Sequence, residues 1–463
     1  MHDIKYRLED RINNLKTKVI SGDTITYEWR IKQLKRIDML LEENKSDIIN
    51  ALFFDLGKSK VEALSEILLI KEEINLFKRK LKNWMKPKFF NTPIYLKPSS
   101  SKIIYEPLGC VLILGPYNYP LLYIFKPLVN IFSAGNTAVI KPSEKCIRTS
   151  KLINKLTKEY FKDDTLLTIE GGYEEAIKLV NQDFDHIFFT GSSKTGKSIM
   201  KLAARNLTPV TLELSGTNPV IVFKNANLKI AAKRIVWGKF FNSGQSCMAP
   251  NHIFVEESIR NDLTKEIKKS ILDFYGKDPL RSEDLSKLEE NNFMRSIQIL
   301  NKAKYKNQII YGGQFDKQKF KICPTIVEVE SEKNTLIKEE LFSSILPILA
   351  LNNLESILKI IQKSPKPLAI YIFGGSNIEH EKISNITSSG SICINDVIIP
   401  VITSNLPFGG VGQSGMGKFH GEAGFKNFSN QKSITYRSNL FDVNLRYPPY
   451  SKIMDLINFI FKI

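Results

Sequence analysis

The sequence predicts an α/β protein: a doubly wound parallel sheet, a second α/β domain after it, and a small β element beside them. Two observations carry most of this. From Gly109 onward the short apolar runs CVLILG, TAVIKP, LLTIEGG, DHIFFTG and PVTLEL alternate with helical patterns, the arrangement of parallel strands covered on both faces by crossover helices. After Gly216 the alternation restarts with a helix over residues 228–241 and continues through IFVE, ILPILAL, LAIYIFGG and SICIND.

Ahead of both, Ile4 to about Pro87 repeats apolar residues at three- and four-residue steps, as in Trp29, Leu34, Ile37, Leu40 and Leu41. This reads as a helical layer that Pro87 closes. The bridge that follows, NTPIYLKPSSSKIIYEP, flanks short β-prone runs with proline and serine and reads as a hairpin leaving the main body. Near the end, LPFGGVGQSGMGKFHG holds too many glycines for regular structure, so close backbone approaches are expected there. The tail SKIMDLINFIFKI reads as a short helix, too short to span a bilayer and able to dock on the body or on a membrane surface.

A chain of 463 residues has room for about three domains. Hydrophobic residues at 43% and charged residues at 25% exclude the disordered and fibrous classes. The 66 basic and 48 acidic residues give a net charge of +18. The lysines are spread along nearly every segment, which argues for a basic solvated surface and against a nucleic-acid site, while leaving some pull on anionic cofactors or lipid headgroups. Cys110, Cys146, Cys247, Cys323 and Cys393 form no CxxC pair, and the five histidines show no ligand spacing. We therefore expect no metal site and no disulfide framework, as in a reducing cytoplasm.

Cys247 lies in FFNSGQSCMAP (240–250), on a glycine-containing turn behind an apolar helix. A free cysteine is most often a small buried hydrophobe. It becomes a nucleophile only where its thiolate is stabilised, so its company decides. The segment Gly191 to Ser198, GSSKTGKS, matches the phosphate-loop pattern GxxxxGK[ST] and follows a strand. Against a nucleoside triphosphatase stand the strand's fourth place in the series and the lack of a later magnesium-binding acid. KPSE at Lys141–Glu144 adds a second motif suited to a nucleotide. Lys141 can donate to a ribose hydroxyl or phosphate and Glu144 can accept from ribose hydroxyls, which suits a dinucleotide spread over several strand ends. The turn at Gly191 to Gly196 still offers N–H groups and a helix N-terminus to a pyrophosphate.

PYNYP (116–120), KPSE (141–144), FTGS (189–192), LELSG (212–216), GQSC (244–247), EELF (339–342) and PFGG (407–410) occur in one ordered series. With TYEWRIKQL, LTPVTLEL, IVWGKFFNSGQSC, SGMGKFHG and RYPPY, the chain resembles an aldehyde dehydrogenase over almost its whole length, most closely the class 3 or fatty aldehyde dehydrogenase branch. The resemblance implies a Rossmann-type cofactor domain (1–87 and 106–213), a catalytic domain (214–412), an oligomerisation or bridging element (88–105 and 413–440) and a C-terminal tail (441–463). It implies oxidation of medium- or long-chain aliphatic, or aromatic, aldehydes to acids. Cys247 would attack the aldehyde to give a thiohemiacetal and then a thioester. Asn118 and the Cys247 backbone N–H would hold the oxyanion, and Glu213 would activate the hydrolytic water.

In the same terms Lys141 and Glu144 would bind the adenosine ribose, Gly191, Ser192 and Gly196 would lie at the pyrophosphate, and Glu340 and Phe342 would position the nicotinamide ribose and ring. Tyr119, Trp237 and Phe408 would line the substrate funnel. The cofactor expectation is NAD, since Glu144 accepts from a free 2′-hydroxyl, with NADP also admitted because Lys141 and Lys145 lie near. A homodimer formed near residues 94–105 and 432–437, a cytoplasmic location and peripheral membrane contact through residues 453–463 complete the expectation. The chain departs from the family pattern at Ser215, Thr217, Ser343, Ser344 and Pro400. Ser215 is expected to crowd the loop beside Glu213, altering rates and leaving the chemistry in place. Three alternatives stay open: transfer of the thioester to coenzyme A or phosphate, a phosphate-loop NTPase using Lys197, and a catalytically silent binding protein.

Overall fold

The computed structural model describes the chain except for residues 1, 94–95, 441, 443–446, 451–453 and 462–463, and the side chains of 2–7, 455–457 and 460. The chain forms two units, residues 1–84 with 106–430, and residues 85–105 with 431–463. The first unit opens with the helices His2–Ile20, Tyr27–Glu43, Lys45–Leu56 and Lys60–Trp84. Thr26 caps the second by accepting from the Trp29 N–H at 3.2 Å. Leu34, Ile37, Leu40 and Leu41 are fully buried, the one-sided stripe that their spacing predicts.

Two sheets follow. In spatial order the first is Gly415–Met416, Val210–Glu213, His186–Thr190, Cys110–Leu114, Thr137–Lys141 and Leu166–Thr168. All its pairings are parallel except the Gly415–Met416 edge, which runs antiparallel to Val210–Glu213. The five strands read from the sequence all occur. They are apolar on both faces because helices cover both; the helix Leu122–Ser133 is itself buried at every position.

The second sheet runs Ile309–Tyr311, Thr325–Val329, Ile345–Ala350, His252–Val255, Pro219–Val222, Ala369–Phe373 and Ser391–Ile394. Pro219–Val222 and Thr325–Val329 were not read from the sequence. The first is only four residues long and follows the turn-prone SGTN, and the second carries Glu328 in its run, so neither stands out as an apolar strand. Sequence and structure also differ over residues 413–430. Gly415 pairs with Glu213 in the first sheet and the helix Gly421–Asn427 packs in the main unit, so the second unit takes up the chain at residue 431 and not at 413.

A three-stranded sheet, in the order Lys88–Phe90, Ser99–Pro107 and Ser429–Arg437, leaves Phe89, Phe90 and Tyr436 exposed. Residues 94–95 of the expected hairpin, and parts of RYPPY and of the tail, lie outside the described residues. The tail forms the helix Met454–Phe461, and among the described residues no helix is long and apolar enough to cross a membrane.

Candidate active site

The first sheet delivers its chemistry at the strand C-termini, as open parallel sheets do. Cys110–Leu114 leads into Pro116–Asn118, Thr137–Lys141 ends on Lys141, His186–Thr190 runs into Gly191, and Val210–Glu213 ends on Glu213. These ends open onto one cavity of about 680 Å³. Cys247, Glu213, Asn118, Lys141, Glu144, Gly191, Ser192, Glu340 and Phe342 all line it.

The loop carrying Cys247 comes from the second sheet's side of the unit, after the helix Leu228–Phe240. Asn242, Ser243 and Gly244 are successive left-handed residues, with φ of 50°, 53° and 79°. A Cβ at Gly244 would meet the Ser343 carbonyl at 2.4 Å, so glycine is required there. The strained Asn242 and Ser243 are held from several directions. The Asn242 N–H donates to Glu62 Oε1 at 2.6 Å and its Nδ2 donates to the Asn118 carbonyl at 2.9 Å. Ser243 Oγ donates to the Ser286 carbonyl at 2.5 Å, and Ser344 Oγ donates to the Ser243 carbonyl at 3.2 Å. Asn118 Nδ2 donates to the Gln245 carbonyl at 2.9 Å, which ties this amide to the turn two residues before Cys247 and leaves its second N–H for a ligand.

Cys247 Sγ lies 3.4 Å from Tyr123 Oη. Burial pushes its thiol up to about 12; the Tyr123 hydroxyl opposes this, while Glu213 and Glu340 add to it. Glu213 is 3% exposed and, among the described residues, neither carboxylate oxygen has a hydrogen-bond partner. Burial holds its carboxyl well above the usual range, with Lys418 pulling the other way. A buried carboxyl without partners is costly, and it marks the group with free acceptor capacity beside the sulfur.

Glu340 is raised to about 7 by burial, offset first by the Ser215 hydroxyl hydrogen-bonded to it, then by Arg295 and Lys239. Ser215 lines the same cavity as Glu213 and Glu340. The loop around Glu340 is pinned by Arg295 Nη2, which donates to the Glu340 and Leu341 carbonyls at 2.6 Å each, and by Asn251, which accepts from the Leu341 N–H at 2.9 Å. Asn292 Nδ2 donates to the Phe342 carbonyl at 2.5 Å, and Phe342 meets Tyr117 edge-on at 6.3 Å.

At the far end Lys141 Nζ donates to Glu144 Oε2 at 3.0 Å, and Lys145 Nζ donates to Glu289 Oε1 at 2.9 Å. Burial works against the Glu144 carboxylate, but its own backbone N–H and Lys141 hold it below the usual range. Between the two ends Ser192 caps the helix Ser193–Ala203, accepting from the Thr195 N–H at 3.2 Å. Of its first turn, the Ser193 and Lys194 N–H groups have no acceptor among the described residues and remain for an anion. The cavity, the anion-ready helix end and the partnerless Glu213 fit a dinucleotide laid from Glu144 to Glu340.

Four predicted residues do not line the cavity. Gly196 is buried in its helix, where a Cβ would meet Leu214 Cδ2 at 2.6 Å; Gly191 N–H already donates to the Glu213 carbonyl at 3.0 Å. Tyr119 is buried with its ring centroid 4.0 Å from Lys58 Nζ. Phe408 stacks on His420 at 5.1 Å, and Trp237 packs against Phe241 at 5.9 Å. Tyr119 and Phe408 are buried, whereas Trp237 is partly exposed. Lys197 of the phosphate-loop match is exposed and outside the cavity lining. Sequence reading missed Tyr123, Arg295, Asn292, Glu62 and Glu66; only Tyr123, five residues after Asn118 in an aromatic-rich helix, had a local cue.

Comparison with known proteins follows the same line. A profile of the aldehyde dehydrogenase family matches residues 21–434. Aldehyde dehydrogenase family 3 member H1 of Arabidopsis thaliana is 39% identical, over 95% of this chain and 92% of its own. The dimeric, NADP-preferring aldehyde dehydrogenase of Rattus norvegicus is 36% identical, over 96% and 98%. The substrate-bound structure of Staphylococcus aureus AldH superposes with a TM-score of 0.94 at 38% identity, over 98% of this chain and 99% of that one.

Proposed function

The chain belongs to the aldehyde dehydrogenase family, an enzyme that oxidises aldehydes to carboxylic acids with NAD or NADP, and from that premise we propose that Cys247, Asn118 and Glu213 carry the reaction. The supporting observation is the meeting of these three side chains on one cavity with Glu213 buried and partnerless. Cys247 as thiolate attacks the aldehyde carbon, and the carbonyl π electrons move to oxygen. The spare N–H of Asn118 and the Cys247 backbone N–H take up that oxyanion as the thiohemiacetal forms. Bound NAD or NADP supplies the two-electron acceptor. Collapse of the oxyanion with loss of the carbon's hydride leaves an acyl thioester on Cys247. Glu213 then takes a proton from water as the water's oxygen adds to the thioester, and expulsion of the sulfur releases the acid.

Lys141, Glu144, the first turn after Ser192, Glu340 and Phe342 hold the cofactor on this reading. NAD is the preferred form, because Lys141 and Lys145 are each already paired with a carboxylate and a 2′-phosphate would have to compete for them. The substrate is a medium- or long-chain aliphatic, or aromatic, aldehyde. Glu213 favours hydrolysis over transfer to coenzyme A or phosphate. The exposed Phe89, Phe90 and Tyr436 on the small sheet support a homodimer, and the protein is read as cytoplasmic, with residues 453–463 available for peripheral membrane contact.

The deciding experiment follows reduced nicotinamide with hexanal, decanal and benzaldehyde against NAD and NADP. Turnover is expected in the wild type without coenzyme A or phosphate and none in Cys247→Ala. Full activity in that variant would remove the sulfur from the mechanism.

A further inference from the structure

We propose that Tyr123 is a further catalytic residue, whose hydroxyl donates to the Cys247 sulfur and stabilises the attacking thiolate. The inference rests on the reading of Cys247 as the nucleophile. Tyr123 sits in the first turn of the buried helix Leu122–Ser133, and its backbone N–H donates to the Tyr119 carbonyl at 3.1 Å. Its Oη is 3.4 Å from Sγ, and among the described residues the sulfur is its only hydrogen-bond partner.

A thiol and a phenol can each donate to the other, but a thiolate can only accept, so ionisation of Cys247 fixes the direction of the bond. The tyrosine is 3% exposed, and burial keeps its proton on far above the ordinary range, with Cys247 and Glu213 adding to this. It is therefore a standing donor and not a base. Its ring is held edge-on to Tyr119 at 6.3 Å and tilted on Phe419 at 6.5 Å, so the hydroxyl is aimed before substrate arrives.

The other groups near the sulfur do not supply this. Glu213 and Glu340 are carboxyls that oppose a thiolate. The Tyr371 hydroxyl donates to the Met248 carbonyl at 2.5 Å, and the Tyr119 hydroxyl is engaged by Ser246. Apart from the residue's own backbone N–H, Tyr123 is the donor that offsets burial at Cys247.

The test is Tyr123→Phe, which removes one oxygen and keeps the ring. The rate of Cys247 alkylation by iodoacetamide is measured against pH in both proteins, with the Cys247 peptide identified by mass. At each pH below the midpoint the variant is expected to react about tenfold more slowly, a midpoint shift of about one unit upward, because a hydrogen bond to a charged acceptor has been lost. The kcat/KM for aldehyde falls in parallel. Superimposable alkylation profiles overturn the proposal. Loss of structure gives the opposite sign, since an unfolded chain exposes an ordinary thiol that alkylates faster. Turnover surviving in Cys247→Ala would instead overturn the nucleophile reading, and with it the catalytic role of Tyr123.

Discussion

Glu213 and the pair Glu62 and Glu66 are all buried carboxyls serving the same site, yet their surroundings are opposite. Glu62 accepts from the Asn242 N–H at 2.6 Å and from the Ser286 hydroxyl. Glu66, one helical turn later, accepts from Lys58 Nζ at 2.5 Å and from the Leu121 and Leu122 N–H groups at 3.1 and 2.9 Å. All four oxygens are used, and one helix face thereby fixes both the turn ahead of Cys247 and the segment just after Asn118. Glu213 uses neither oxygen. Saturated hydrogen bonding makes a buried carboxylate a structural fixture, whereas withheld hydrogen bonding keeps one reactive at a cost in stability.

The largest effect that tests this contrast is Glu213→Gln. Steady-state turnover is expected to fall by about 10²–10⁴-fold, with a burst of reduced nicotinamide and an acyl adduct on Cys247 detectable by mass; a normal steady state with no adduct would break the contrast at its reactive end. The same variant has a stability signature. Burial raises the folded-state carboxyl well above its ordinary 4.5, so above that pH the native state holds a proton that the unfolded state releases, and stability falls as pH rises. Glu213→Gln should remove that slope and raise Tm relative to wild type at neutral and alkaline pH, by a margin that grows until the folded-state value is passed. The hydrolytic rate runs the other way, rising with pH as Glu213 ionises.

Next is Asn118→Ala, expected to lower kcat by about 10²–10³-fold through loss of one oxyanion donor, measured from initial rates at saturating aldehyde. At the structural end, Glu66→Gln leaves the Lys58 ammonium buried without its partner and is expected to cost about 3–5 kcal/mol in urea unfolding. Its activity per folded molecule should fall by less than that of Asn118→Ala. The smallest effect is Lys197→Ala: NAD-linked turnover within about twofold of wild type, because the side chain is exposed and outside the cavity lining. A large loss there would instead place Lys197 at the cofactor.

Much of this was legible in the sequence. The strands of the first sheet announce themselves because buried parallel strands are unbroken apolar runs. Cys247, Glu213, Asn118, Lys141, Glu144 and Glu340 were legible because each sits in a short motif at a strand end or turn. Short or charge-interrupted strands such as Pro219–Val222 and Thr325–Val329 were not, nor was the close approach of Leu214 that a Cβ at Gly196 would meet.

The sequence by itself determined the α/β class, the order of elements and the residues with chemistry to offer. Tertiary structure alone decided which of them touch. Tyr123 meets a sulfur 124 residues away and Glu62 meets a backbone N–H 180 residues away. A local pattern records which face of an element is buried, because burial repeats with the period of helix or strand. A single hydrogen bond between distant segments repeats with nothing, so it leaves no periodic trace and appears only when the chain has folded.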